Sequence, residues 1–129
     1  MRLTTKTDFC LRVLIYLQTH PGKVKIQEIA DAYQISKNHL SVAVNKLSEL
    51  GYVISTPGPK GGIEFNQGFA ESTVGELVKQ VEEMDIVECF AHETNTCVLT
   101  PRCRLKRMLS SAATSFIKEL ENYKIKELV

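Results

Sequence analysis

Apolar residues recur at helical spacing along most of the chain, and only one short stretch departs from it. Phe9, Val13, Tyr16 and Leu17, flanked by Cys10 and Leu14, predict a first helix that Thr7 caps and that runs to about Gln18. His20-Pro21-Gly22 ends it. Residues 26–33 predict a short amphipathic helix, and Gln34-Ile35-Ser36 a tight turn. Ser36 is a good N-cap for the next helix, Lys37 to about Leu50, which Gly51 stops. Two short helices across so tight a turn predict a helix-turn-helix over about 26–50.

The second of these helices has two faces. Leu40, Ala43, Val44, Leu47 and Leu50 line one; Lys37, Asn38, Ser41, Asn45 and Ser48 line the other, which is short, polar and free of carboxylates. Short amides and hydroxyls can approach base edges and phosphates closely. The bland alternative is a solvated face. Then Tyr52-Val53-Ile54-Ser55 and Ile63-Glu64-Phe65 read as strands around the Gly- and Pro-rich turn of residues 56–62. A hairpin directly after a recognition helix is the wing of a winged helix, here about 52–66. Lys60 at its tip reaches phosphate or the minor groove, and Gly61 and Gly62 let the backbone approach. Helix-turn-helix and wing together point to DNA, with Ser36, Lys37, Asn38, His39, Ser41 and Asn45 as the reading-helix contacts.

Beyond the wing, Thr73 to Glu83 predicts a helix with Leu77, Val78 and Val81 on its apolar side, capped by Ser72 or Thr73. After Cys103, the repeat of Leu105, Leu109, Ala112, Phe116, Leu120 and Tyr123 predicts one long helix to near Val129. Such a helix spans about 39 Å at 1.5 Å per residue. Its apolar stripe needs a partner, either the winged helix or the same helix of a second chain. Two-fold dimers set reading heads about 34 Å apart, which favours the second. The fold class expected is therefore mainly α with a small β-hairpin: a winged helix-turn-helix over 1–70, then a helix, a cysteine loop (88–104) and a long C-terminal dimerisation helix over 71–129.

Charge changes this picture only slightly. Net charge is +1, but residues 1–66 carry eight Lys/Arg against five Asp/Glu and residues 67–129 carry eight against ten. The basic half agrees with a nucleic-acid partner. No run of about 18 apolar residues is present, and Met1 to Asp8 has no long apolar core, so a cytoplasmic protein with no membrane partner is expected. No Gly-rich phosphate loop, Ser/His/Asp arrangement or paired-carboxylate motif appears, and His20, His39 and His92 are scattered, so no enzyme is expected.

The chemistry lies in the cysteines. Cys89, Cys97 and Cys103 follow the pattern C-x7-C-x5-C in a polar, turn-forming segment. Thiolates bind zinc and iron–sulfur clusters, and they are the reactive form in redox switches. Disulfides fit badly, since three cysteines do not pair completely. A metal or cluster loop, a thiol switch and incidental free cysteines remain, in that order. Cys10 reads as a small core residue. Asp8 reads as an acid in the first turn of a helix, four residues before Arg12 and able to pair with it.

Several of these pieces together resemble a known family. Met1-Arg2-Leu3-Thr4 with Thr7-Asp8, the helix-turn-helix with Ile29-Ala30 and Ser36…Leu40, and the Gly61-Gly62 wing are similar to the Rrf-type winged-helix transcription regulators. The segment Glu88-Cys89-Phe90 … Asn95-Thr96-Cys97-Val98-Leu99-Thr100-Pro101-Arg102-Cys103-Arg104-Leu105-Lys106 resembles the NsrR branch, the nitric-oxide-sensing repressors. The resemblance covers essentially the whole chain. It implies a homodimer on palindromic operator DNA, with one iron–sulfur cluster per subunit, 4Fe–4S in preference to 2Fe–2S. It implies that nitrosylation of the cluster releases the operator and derepresses nitric-oxide detoxification genes. Cys89, Cys97 and Cys103 match the cysteine ligands, and Asp8 matches a carboxylate supplied by the partner subunit. Seven residues between Cys89 and Cys97 are more than this branch carries, so His92 and Glu93 compete with Asp8. Relatives of IscR type bind 2Fe–2S and use a histidine where this chain has Lys106, a poor ligand while protonated. An IscR-like regulator of cluster assembly and a metal-free thiol switch are the alternatives.

Overall fold

The first helix is set by a threonine earlier than the expected one. The computed structural model describes residues 1–129, apart from the side chain of Glu88. Helix α1 is Thr5–Thr19, and Thr4 caps it, its hydroxyl accepting the Thr7 N–H at 3.4 Å. Thr7, expected as the cap, lies one turn inside the helix with its side chain fully buried. It shares a hydrogen bond with the Thr4 hydroxyl at 3.1 Å. Both residues can cap, and burial decided between them. Cys10, Val13, Leu14, Tyr16 and Leu17 form the buried stripe of α1.

Helices α2 (Ile26–Tyr33) and α3 (Lys37–Leu50) follow as the pattern predicts. Gln34 closes α2 in the left-handed region, at φ 55°, and its N–H reaches back to the Ala30 and Asp31 carbonyls. Gly51 closes α3 at φ 93°, a conformation glycine adopts without strain. Ser36 holds the N-cap position of α3 but makes no side-chain cap bond; its carbonyl accepts the Leu40 N–H at 3.0 Å. Leu40, Ala43, Val44 and Leu47 are buried.

Strands β1 (Val53–Thr56) and β2 (Gly62–Phe65) pair antiparallel, with Val53 opposite Phe65 and Thr56 opposite Gly62. Val24 adds a single bridge to the hairpin's free edge, exchanging hydrogen bonds of 2.9 and 2.8 Å with Ile63. The wing is thereby pinned to the strap between α1 and α2.

Helix α4 is Val74–Val81, and the Thr73 hydroxyl caps it by accepting the Glu76 N–H at 3.0 Å. It ends two residues before the expected Glu83. Helix α5 is Arg104–Leu120. A Cβ on Gly75 would lie 2.6 Å from the Glu121 nitrogen and 2.7 Å from the Ile117 carbonyl oxygen, so only glycine lets α4 and α5 pack this closely.

The expected continuation of α5 to near Val129 is wrong. The chain turns at residues 121–123 and runs back along the segment before α4. Val74 N–H bonds the Tyr123 carbonyl and Ile125 N–H the Ser72 carbonyl, both at 2.8 Å. Ile125 is fully buried, and Glu71 binds the ammonium groups of Lys124 and Lys126. Those ammonium groups hold the Glu71 carboxyl down, to about 2. Burying an isoleucine contributes about 1.5–3 kcal/mol, more than two further turns of exposed helix would. Helix α5 is thus 17 residues, about 25 Å long.

One hydrophobic core runs through the molecule, from Cys10 in α1 through α2, α3 and the wing to Leu77, Val78, Ile117 and Ile125. Among the described residues no helix is long and apolar enough to cross a membrane.

Candidate nucleic-acid interface and cysteine segment

Helix α3 turns its polar face outward. Lys37, Asn38, His39 and Asn45 are exposed, and Ser41 is half-buried. The Ser41 hydroxyl donates to the Lys37 carbonyl at 2.8 Å, so its proton is already committed. Glu49, also exposed, sits near the C-terminal end of the helix and lies 3.9 Å from Lys46. The face expected to lack carboxylates lacks them only over its first three turns. One exposed residue there escaped the sequence reading. Val42 is 54% exposed, four residues after Asn38 and three before Asn45. Its position on the helical wheel was the available signal, but an apolar residue amid polar ones reads as noise.

The wing presents Lys60, exposed at its tip. Gly61 is buried, and a Cβ there would stand 2.0 Å from the Thr56 carbonyl oxygen. A Cβ on Gly62 would stand 2.7 Å from the Val24 carbonyl oxygen. Both glycines therefore have an internal reason to be glycine: they close the tip and dock it on Val24. Lys25 is a wing cation that sequence reasoning missed. Its ammonium donates to the Gly58 carbonyl at 3.0 Å, a contact across the fold that no local spacing announces.

The cysteine segment joins α4 to α5 through 3-10 turns at Glu88–Phe90 and Thr100–Arg102. Cys89 is buried, Cys97 and Cys103 are half-buried, and all are free thiols. Around Cys97 the backbone is held by side chains. Asn95 Oδ1 accepts the Cys97 N–H at 3.0 Å, Asn95 Nδ2 donates to Thr100 Oγ1 at 2.8 Å, and Thr100 Oγ1 donates to the Cys97 carbonyl at 2.8 Å. Among the described residues no group of three or more His, Cys, Asp and Glu side chains is gathered closely enough to hold a metal ion. Three unpaired thiols on one segment are nonetheless a soft donor set, which suits zinc or iron–sulfur chemistry rather than magnesium or calcium.

Charge around Cys103 points the same way. Cys103 is the N-cap of α5, and Arg104, Lys106 and Arg107 follow it with no acid in the first turn. Cations at a helix N-terminus oppose the macrodipole. Negative ligands at Cys103 would be matched both by these cations and by the helix end.

Cys10 stands apart from the other three. It is fully buried, its thiol donates to the Ala43 carbonyl at 3.6 Å, and burial pushes it up to about 12. It is a neutral core residue between α1 and α3, as expected. Asp8 pairs with Arg12 through two hydrogen bonds, of 3.1 and 3.0 Å, with both side chains about half exposed. His92 and Glu93 are exposed.

Fold and surface together define a winged helix-turn-helix DNA-binding regulator. The chain belongs to the Rrf2 family, whose model, described as an iron-dependent transcriptional regulator, matches residues 3–129. It is 42% identical over 132 residues to the HTH-type transcriptional regulator NsrR of Shouchella clausii, covering all of this chain and 89% of that one. It is also 42% identical to the NsrR of Halalkalibacterium halodurans, with 90% of that protein covered, and 39% identical to that of Bacillus licheniformis, with 92% covered. Among solved structures, CymR of Staphylococcus aureus matches with a TM-score of 0.72 at 21% identity, over 97% of this chain and 95% of that one. IscR of T. potens matches at 0.74 and 18%, over 99% and 86%. The chain is a transcriptional regulator and not an enzyme.

Proposed function

We propose that this protein is a homodimeric repressor that senses nitric oxide through an iron–sulfur cluster, one per subunit and 4Fe–4S in preference to 2Fe–2S. Residues 1–70 bind palindromic operator DNA, and residues 71–129 sense and dimerise. Cys89, Cys97 and Cys103 hold the cluster, with the partner subunit's Asp8 as fourth ligand. The observation that carries this reading is the set of three free thiols on one segment, behind a winged helix. The NsrR names of relatives at 39–42% identity support it.

Bound there, the cluster supplies iron to which nitric oxide can bind. The chain's own residues do the rest. Ser36, Lys37, Asn38, His39, Ser41 and Asn45 meet the major groove or its phosphates, and Lys60 meets the duplex through the wing, whose tip Gly61, buried and so not itself a contact, and Gly62 close. Asp8 is recruited from its pairing with Arg12. An exposed pair at this spacing is worth only about 0.3–0.5 kcal/mol, so little opposes the exchange. Helix α1, which carries Asp8, packs on α3 through Cys10 and Ala43, 3.6 Å apart at the thiol and carbonyl. Loss of Asp8 from the partner's site thus acts on the helix beside the reading head.

The test is the visible absorption of protein purified without oxygen, titrated with nitric oxide while operator binding is followed. A brown protein whose band bleaches as binding weakens 100- to 1,000-fold, about 2.7–4.1 kcal/mol, supports the proposal. A colourless protein that retains zinc overturns it. Asp8→Ala should bind DNA but respond weakly to nitric oxide; a normal response would move the fourth ligand to His92 or Glu93.

A further inference from the structure

We propose that Val42 is a specificity-determining residue that reads the C5-methyl group of a thymine in each operator half-site. The inference deepens the assignment of α3 as the reading helix and rests on it.

Three observations carry it. Val42 is 54% exposed and lies in the middle of the outward face, with exposed Asn38 and Asn45 one turn away on either side. Asn38, Ser41 and Asn45 beside it are short, and Ser41 is folded onto the Lys37 carbonyl at 2.8 Å, so these neighbours leave the Val42 methyls open to a groove. The core face of the helix is already complete, with Leu40, Ala43, Val44 and Leu47 buried, so Val42 has no packing role inside the subunit.

The chemistry narrows the target. A valine offers no hydrogen bond, so it discriminates among base pairs only through the apolar group in the major groove, the thymine methyl. Branching at Cβ leaves the side chain few rotamers, so its two methyls are held in place before contact. The flanking asparagines add to the choice, because the asparagine amide pairs with the adenine edge in the same groove. Val42 and its neighbours therefore select A·T pairs by two different means.

The experiment uses the full chain purified without oxygen and a duplex that it enriches from a random-sequence pool. That duplex is resynthesised with deoxyuridine replacing each thymine in turn. Deoxyuridine keeps the base pair and the O4 acceptor and lacks only the methyl group. At one thymine per half-site the dissociation constant should rise about fourfold, the effect of losing one buried methyl. In Val42→Ala, which loses the contact in both half-sites, the thymine duplex should bind about as weakly as a duplex with deoxyuridine at that position in both half-sites binds the parent, with the thymine preference there gone. Val42→Thr, which retains a branched methyl, should retain part of the preference. A duplex that tolerates deoxyuridine at every thymine, or a preference that Val42→Ala leaves intact, overturns this inference alone. A chain that enriches no duplex overturns the reading-helix assignment with it.

Discussion

Glu82 holds Thr4: its Oε2 accepts the Thr4 N–H at 2.9 Å and the Thr4 hydroxyl at 3.1 Å. The two residues are 78 apart in sequence. Thr4 caps α1, and Glu82 is the residue at which α4 ends and the path to Cys89 begins. One carboxylate therefore joins the entry of the cysteine segment to the helix that packs on α3. Glu82→Ala should cost about 0.5–1.5 kcal/mol and lower the melting temperature by a few degrees. Amide exchange in the first turn of α1 should speed up, and Glu82→Gln, which keeps an acceptor oxygen, should recover most of the loss. Unchanged exchange in Glu82→Ala would show the contact to be incidental.

The wing should separate charge from shape. Lys60 is exposed at the tip, whereas Gly61 is enclosed by the Thr56 and Pro57 carbonyls. Lys60→Ala should weaken binding to all duplexes alike and make the slope of log affinity against log salt shallower by about 2, for one phosphate per subunit of the dimer left without its cation. Its unfolding midpoint should not move. Gly61→Ala cannot keep the tip, because the obstructing atoms are backbone, and it should lower both stability and affinity. Equal salt slopes for the parent chain and Lys60→Ala would remove Lys60 from the interface.

Alkaline pH should loosen the fold from its centre. Burial pushes Cys10 up from 9.0 to about 12 and Tyr52 from 10.0 to about 12. Tyr16, whose hydroxyl donates to Glu28 at 2.6 Å, is also pushed up to about 12, first by that hydrogen bond. Each group holds its proton more tightly folded than unfolded. Their contribution is complete below about pH 9 and is lost as pH rises toward 12, because the unfolded chain ionises first. Urea midpoints should fall progressively between pH 9 and 11, and Cys10→Ala should flatten the earliest part of that fall. A midpoint constant to pH 11 contradicts the assignment.

Much of this molecule was legible in the order of its residues. Helices α2 and α3 fell where the apolar period and Gly51 put them, and the hairpin formed around its Gly- and Pro-rich turn. These signals are local: a period of 3.6, a stop residue and a turn composition act over a few residues and need no partner. The spacing of Cys89, Cys97 and Cys103 is likewise written in the chain, as is the polar face of α3. By itself, then, the sequence determined the helix-turn-helix, the hairpin and the spacing of the three cysteines.

Tertiary structure decided what depends on distant segments. The apolar repeat permits a helix to Val129, but Ile125 has a core site to fill and the backbone of residues 70–74 to bond, so α5 stops at Leu120. Thr4 rather than Thr7 caps α1 because burial claimed Thr7 and Glu82 lay within reach of Thr4. Gly62 and Gly75 must be glycine because Val24 and Glu121 come within 2.7 Å of where a Cβ would stand. The exposure of Val42 became meaningful only once the opposite face of α3 was seen to be filled. The reason is common to all four. Local sequence sets the preferences of a segment, and where two are nearly equal in energy, the choice falls to burial and to hydrogen bonds with parts of the chain tens of residues away.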